Sequence, residues 1–383
     1  MKTRNLLITV IVFILFIFSG IDLKAQKKAI TIEEYTRWRS ISSTAITEKG
    51  NWVSYAYKTP VKDDTLHVKS LVTDTLYVIP RGSSPSFSDD EKWIAYFLNL
   101  NVKKIKSLGK EKKPVTKKAI LLNLETSKKF EVENAASFSF SKGSGFFTVK
   151  KIKADPKAKN KGTDLLIRNL KTGMNELIGS VSQFSFNKAG NYLAYTIDVA
   201  DTTGNGLYLI DLLSGIRTPL DTDDKVYGKM TWDEEGKALA VLKGVTGKKK
   251  MERSNLLSAF LNIGDKNQTG VFYNPAIDSL FPKDSVISEK GNLLWSEDYS
   301  RIFFGIKEQT DKPPKKEKDA EPVVDLDIWH WKDEKIQSVQ MKQATRDKNF
   351  TYRSALIIED KKFVRLCDNK IRTIEITKDG KWG

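Results

Sequence analysis

The stretch Phe87-Ser-Asp-Asp-Glu-Lys-Trp-Ile-Ala-Tyr-Phe97 constrains the fold most, because its pattern, a polar turn followed by an apolar strand, recurs along the chain. Related copies read Ile46-Thr-Glu-Lys-Gly-Asn-Trp-Val-Ser-Tyr-Ala-Tyr57, Phe140-Ser-Lys-Gly-Ser-Gly-Phe-Phe-Thr-Val149, Phe186-Asn-Lys-Ala-Gly-Asn-Tyr-Leu-Ala-Tyr195, Trp232-Asp-Glu-Glu-Gly-Lys-Ala-Leu-Ala-Val241 and Trp295-Ser-Glu-Asp-Tyr-Ser-Arg-Ile-Phe-Phe304. From Asn51 through Lys92, Gly145, Asn191, Lys237 and Arg301 the steps are 41, 53, 46, 46 and 64 residues. A period in the forties with elastic insertions is that of propeller blades.

Asp, Asn, Ser and Gly populate these turns because they tolerate left-handed backbone or bond their own main chain. The strand that follows is apolar at both parities, with Trp93, Ala95 and Phe97 on one and Ile94 and Tyr96 on the other. Such a strand is covered on both faces, as in sheets stacked radially against their neighbours. Between the copies run hairpins: Ala119 to Ser127 into Lys128 to Val132, Leu165 to Gly173 into Met174 to Ile178, and Leu207 to Gly215 into Ile216 to Leu220. Leu124, Leu170 and Leu212 are 46 and 42 residues apart, so the hairpins keep step with the turns. Two signals in phase predict an all-β fold, a β-propeller of four-stranded blades with six to seven represented.

Residues 1–25 stand outside this pattern. Lys2 and Arg4 precede the uncharged run Leu6 to Phe18, too short for a membrane span and followed by a plausible cleavage point after Ala25. The segment reads as a secretory signal, with an uncleaved anchor as the alternative, and predicts a secreted or periplasmic protein. Residues 26–383 then form one propeller domain. Its single cysteine, Cys367, excludes an internal disulfide despite export.

The net charge is +16, and removing Lys2, Arg4 and Lys24 against Asp22 leaves +14 (16 − 3 + 1). The lysines clump at Lys103 to Lys118, Lys151 to Lys161, Lys248 to Lys250 and Lys312 to Lys318, all between strand signals. They read as solvated loops. A basic balance also permits nucleic acid or an anionic surface. Export and the lack of interleaved aromatics argue against nucleic acid, which leaves acidic polysaccharide or membrane headgroups. Near residues 308–322 a Pro- and Lys-rich excursion interrupts a blade. Beyond it Val324 to Gln340 reads as a strand, a polar turn and a strand, with Trp329 and Trp331 on one face and His330 on the other. Ser254 to Leu261 reads as a short helix or an inserted strand, and Asn267-Gln-Thr269 is a glycosylation sequon only on a eukaryotic secretory route. At the far end Ile376-Thr-Lys-Asp-Gly-Lys-Trp-Gly383 reproduces the opening of Ile46 to Trp52. The expectation is a last blade left incomplete, with open, aggregation-prone sheet edges.

No Gly-x-Ser-x-Gly elbow occurs, since Gly82 to Ser86, Gly143 to Gly145 and Gly179 to Ser182 miss its spacing. His67 and His330 lack Cys or His neighbours at ligand spacing, so no zinc site is expected. His330 reads as a satisfied strand residue between two tryptophans. The acidic groups Asp89-Asp90, Asp221 to Asp224 and Asp233 to Glu235 read as turn residues rather than calcium ligands. Strand Trp and Tyr residues read as core, although aromatics at a propeller mouth also line ligand surfaces. No catalytic, cofactor-binding or metal residue is assigned.

The turn-strand repeat resembles the propellers of the periplasmic TolB type and of the prolyl oligopeptidase (S9-type) family of serine peptidases. Within the latter, Asp325-Leu-Asp-Ile-Trp-His-Trp-Lys-Asp333 is similar to a stretch of large secreted members. The resemblance covers roughly residues 30 to 383. It implies a propeller that gates oligopeptide access to a following α/β-hydrolase domain, where the Ser, Asp and His triad resides. No such domain lies within these residues, so no catalytic residue carries over and the missing hydrolase domain becomes the implied partner. The alternative is a stand-alone periplasmic TolB-like propeller binding protein or glycan ligands.

Overall fold

The computed structural model describes residues 31–35, 37–59, 63–111, 113–153, 155, 157–313 and 328–383. The signal reading of residues 1–25 and most of the 308–322 excursion lie outside them.

The described residues build six antiparallel blades in sequence order. Blade 1 takes β1 (Ser40–Ile46), β2 (Trp52–Lys58), β3 (Thr65–Ser70) and β4 (Leu76–Pro80). Blade 2 takes β5 (Gly82–Phe87), β6 (Trp93–Leu98), β7 (Lys118–Asn123) and β8 (Lys129–Val132). Blades 3 and 4 run through β9 (Ala135–Phe140), β10 (Phe146–Lys151), β11 (Thr163–Asn169), β12 (Asn175–Phe186), β13 (Tyr192–Ile197), β14 (Gly206–Asp211) and β15 (Arg217–Thr222). They share β12, whose residues 175–178 pair with β11 and whose residues 183–186 pair with β13. Blade 5 takes β16 (Val226–Trp232), β17 (Leu239–Val245), β18 (Ser254–Leu261) and β19 (Thr269–Tyr273). Blade 6 begins with a broken strand, β20 (Ser285–Ser288) and β21 (Leu294–Trp295), both paired with β22 (Arg301–Glu308). β23 (Tyr352–Ile357) and β24 (Lys362–Arg365) complete it. This is the four-stranded propeller architecture that the two in-phase signals predict, and the Ser254–Leu261 ambiguity resolves as the strand β18.

Five hydrophobic clusters each lie between two successive blades. The two parities of β6 separate as its sequence requires: Ile94 and Tyr96 pack toward blade 1, while Ala95 and Phe97 pack toward blade 3. Blades 2 to 5 are thus slabs with two dry faces, whereas blade 1 leaves Ile41, Ile46 and Val78 exposed, and stacking the slabs is what removes the apolar surface from water.

One device is repeated at each first-to-second turn. A residue with a short oxygen-bearing side chain donates its backbone N–H to the carbonyl five residues on, and its side-chain oxygen accepts the N–H of that same residue. For Ser88 and Trp93 the two distances are 3.0 and 2.9 Å; for Ser141 and Phe146, 2.9 and 3.0 Å; for Asp233 and Ala238, 2.9 and 2.6 Å. Thr47 with Trp52, Asn187 with Tyr192 and Ser296 with Arg301 repeat it. All six of these residues are buried. Only a short side chain carrying an oxygen closes a five-residue turn this way, which is why Ser, Thr, Asn and Asp alternate at the position. Thr377 and Trp382 make the same pair of bonds, at 3.0 and 3.1 Å, in a seventh such turn laid against blade 6.

Two expectations fail. Residues 328–336 form no strand, and Gln337–Lys348 is an α-helix. Its Gln, Met, Lys, Ala and Arg residues are good helix formers, and the pairing position beside β22 is taken by β23 instead. Trp329 and Trp331 are 70% and 84% exposed, and His330 is an exposed residue stacked on Trp331 rather than a strand residue between them. The lysine clump at 103–118 is only partly loop, since Val102–Lys110 is a helix capped by Asn101, whose Oδ1 accepts the Lys104 N–H at 2.7 Å.

Candidate interaction face

An antiparallel blade sends its first-to-second and third-to-fourth turns to one end of the wheel and its second-to-third connections to the other. The crossing from a fourth strand to the next first strand also lies at that second end. The two ends differ sharply here.

At the turn end each first-to-second turn is joined to the next. Glu91 accepts from the Lys49 N–H at 2.7 Å and from Asn51 Nδ2 at 2.6 Å. Asp89 accepts from the Gly143 N–H at 2.9 Å, and the Asp90 N–H donates to Ser144 at 3.2 Å. A Cβ on Gly190 would lie 2.2 Å from the Lys142 carbonyl oxygen, so this pair of turns meets backbone to backbone. Asn187 Nδ2 donates to the Gly236 carbonyl at 3.2 Å, and the Glu297 N–H to the Lys378 carbonyl at 3.0 Å. Burial first, then hydrogen bonding to Glu235 and the nearby Asp233 charge, hold the Tyr299 hydroxyl well above the usual phenol range. The third-to-fourth hairpins are as tight, with Asn123, Asn169 and Asp211 each accepting the N–H groups two and three residues ahead.

The loop end carries the long connections, residues 99–117, 152–162, 246–253 and 309–351. The lysine clumps of the sequence fall within or beside them. What holds this end is charge pairing, buried at Lys243 and half-buried elsewhere, rather than turns. Lys243, in the apolar strand β17, is 7% exposed and meets Asp221 at 2.6 Å and Asp223 at 3.0 Å across the blade 4 to blade 5 boundary. Burial pulls the Lys243 pKa down, and the two carboxylates outweigh it, so the net shift is upward. Burial works against Asp223 as well, but Lys225 and Lys243 hold its carboxyl below the usual range. Tyr227 donates to Asp221 at 2.8 Å, and burial and that bond push its hydroxyl far up. Asp221 to Asp224 was expected to be turn chemistry alone; its first and third residues instead form an interblade lock. Between blades 5 and 6, Arg253 pairs with Glu289, Lys307 meets Glu252 at 3.2 Å, and Gln309 bonds both backbone groups of Glu252 at 3.0 Å.

Two cavities lie beside these contacts. One, of 680 Å³, sits under the crossing from β19 to β20 and is lined by Asn255, Leu256, Asn274, Pro275 and Pro282 among others. The other, of 470 Å³, is on blade 6 and is lined by Lys290, Arg346, Arg353 and Arg372, with no carboxylate. Buried, thiol-bearing Cys367 is at its wall.

The two histidines are not brought together. His67 lies in β3 of blade 1, stacked on Tyr55 with ring centres 5.1 Å apart, and burial and then Arg39 lower its pKa. His330 lies in the blade 6 insertion. Asp89, Asp90 and Asp233 are turn residues as expected. The lysine among apolar neighbours in Leu239-Ala-Val-Leu-Lys-Gly-Val245 is the signal that sequence reading passed over; a charge there needs a buried partner.

No family model matches the chain, and no curated protein matches it. Among solved structures, the β-propeller domain of the trilobed protease from Pyrococcus furiosus is 15% identical, covering 71% of this chain and 79% of that one, with a TM-score of 0.37. Hydrazine synthase of Kuenenia stuttgartiensis is 9% identical over 68% and 72%, at 0.36. Acylaminoacyl peptidase of Pyrococcus horikoshii is 13% identical over 71% of this chain and 43% of its own length, at 0.36.

Proposed function

We propose that the chain is the non-catalytic propeller portion of a secreted serine peptidase of the prolyl oligopeptidase type. In this reading it filters oligopeptides on their way to an α/β-hydrolase domain outside these residues. The observation that carries the reading is the one-ended build: the turn end is closed by turn-to-turn bonds, while all the long connections collect at the other end. A second domain seats on the face that carries these long connections. Exposed Trp329 and Trp331, on the longest of those connections, are the kind of aromatic anchor that interfaces use. The resemblance of the repeat and of the Trp-His-Trp segment supports the same family.

The test is activity-based labelling of the product of the reading frame that encodes this chain, using a fluorophosphonate probe and peptide mapping of the labelled serine. The expected result is one labelled serine, outside residues 1–383. A labelled serine within them overturns the reading. No labelled serine at all also overturns it, and favours a stand-alone propeller that binds protein or glycan.

A further inference from the structure

Each first-to-second turn is entered by a large apolar residue, one position before the side chain that closes it. In blades 2 to 6 this residue is Phe87, Phe140, Phe186, Trp232 and Trp295, and each packs on the core shared with the preceding blade. Six residues past the closing side chain stand Ile94, Phe147, Leu193, Leu239 and Ile302, all 0% exposed and all in those same cores. These two positions are the part of a blade that its predecessor covers.

Blade 1 carries the same residue types without the cover. Ile46 and Val53 pair across its first two strands, yet Ile46 is 65% exposed, Val53 is only half-buried, and neither lies in a core cluster of the described residues. Alternation puts Tyr55 and Tyr57 on this face, with Ile41 beside Tyr57, while Ala56, Leu66 and Val68 on the other face are buried toward blade 2. An apolar sheet face of this kind costs free energy in water and marks a contact.

The occupant is begun on blade 6. Thr377 closes the seventh turn onto Trp382, and the Glu297 N–H of the blade 6 turn donates to the Lys378 carbonyl at 3.0 Å, the kind of bond that joins successive turns elsewhere. Ile376, which enters this turn, lines a 240 Å³ cavity with Phe303 and Val364 of blade 6, and a Cβ on Gly380 would lie 2.9 Å from the Phe303 ring. Ile376 thus follows the rule and packs on the preceding blade. Residues 372–376 have no ladder partner among the described residues, as a first strand has none until its second strand is in place.

We propose that Thr377–Trp382 opens a seventh blade, and that the far face of this blade docks on Ile41, Ile46, Val53 and Tyr55 of blade 1, closing the wheel by blade-to-blade packing. Its remaining strands come from polypeptide that follows the turn. The inference stands on blades 1 and 6 and does not depend on the peptidase reading.

The experiment compares this chain with the product of the reading frame that encodes it, each carrying Ile46→Cys, by the rate of maleimide labelling at high and low protein concentration. The change alters an exposed side chain, and the native Cys367 is buried, so the label reports the new thiol. Ile46→Cys should react freely in this chain and about tenfold or more slowly in the reading-frame product, where a covered site reacts only through local opening. Val72→Cys, on an exposed hairpin of the same blade, should react alike in both. Equally fast labelling of Ile46→Cys in the two proteins, or a product with no residues beyond Gly383, overturns the assignment. Protection that is lost on dilution also overturns it and makes the occupant a second copy of the chain. A protected Ile46→Cys in a product without a reactive serine keeps this inference and removes the peptidase one.

Discussion

The two ends of this wheel are held by different physics. At the turn end a Ser, Thr, Asn or Asp closes each five-residue turn, and neighbouring turns then bond to one another. At the loop end the connections are long and largely exposed, and the blades are tied by buried ion pairs such as Lys243 with Asp221 and Asp223. Short local bonds are cheap to form, because few residues are ordered for each one. A buried ion pair repays its desolvation only with good geometry, but removing one partner is severe. The loop end therefore has the freedom to carry insertions, and it concentrates its dependence on a few residues.

The strongest way to break this contrast is Lys243→Ala. The change leaves Asp221 and Asp223 facing each other beside blade 5, and a loss of about 3–5 kcal/mol in chemical denaturation is expected. The same pair has a pH signature. Because the Asp223 pKa is lowered in the folded state, its contribution is present above its ordinary value of 3.8 and is lost as the pH falls below it. Lys243→Ala should flatten that acid limb. A variant that melts like the parent at neutral pH sinks the idea of a charge lock.

Gly190→Ala comes next and probes the turn end. Gly190 has φ of +75°, and its missing Cβ is occupied by the Lys142 carbonyl. Gly143, in the neighbouring turn, has φ of +71° but nothing within 4 Å of the same position. Gly143→Ala should then lose only the left-handed preference, about 1 kcal/mol. Gly190→Ala should lose about 2–4 kcal/mol, since two turns must also separate. Equal losses in thermal unfolding would show that the turns do not bear on one another. Smaller still is Ser141→Ala, which removes the side-chain acceptor of the half-buried Phe146 N–H at a cost of about 1 kcal/mol.

Legibility in the sequence followed the range of the interaction. The turns were readable because Ser88 and Trp93, or Asp233 and Ala238, are five residues apart and obey one local rule. The stacking was readable because both parities of Trp93 to Phe97 are apolar, and the structure sends them to different neighbours. What the sequence hid is long-range. Asp221 and Lys243 are brought together only by the blade 4 to blade 5 packing, so the acidic run looked like a turn. The β-branched and aromatic residues of Val324 to Gln340 suggested strands, yet the pairing position beside β22 belongs to Tyr352–Ile357.

The smallest expected effect sharpens the contrast from the other side. The helix Val102–Lys110 buries no residue, and Val102, Ile105 and Leu108 are only half-covered. Its attachments are the Asn101 cap and a bond from the Val102 N–H to Asp63 at 2.8 Å. Replacing Lys103, Lys104 and Lys106 with Ser should therefore shift global stability by no more than about 0.5 kcal/mol, as for other surface positions. Asn101→Ala should fray the helix, a local cost of about 1 kcal/mol visible in hydrogen exchange of residues 102–110, while the melting of the blades stays fixed. A global loss above about 1 kcal/mol from either change would mean that the loop end is as tightly knit as the turn end. The separation between a stitched face and a free one would then fail.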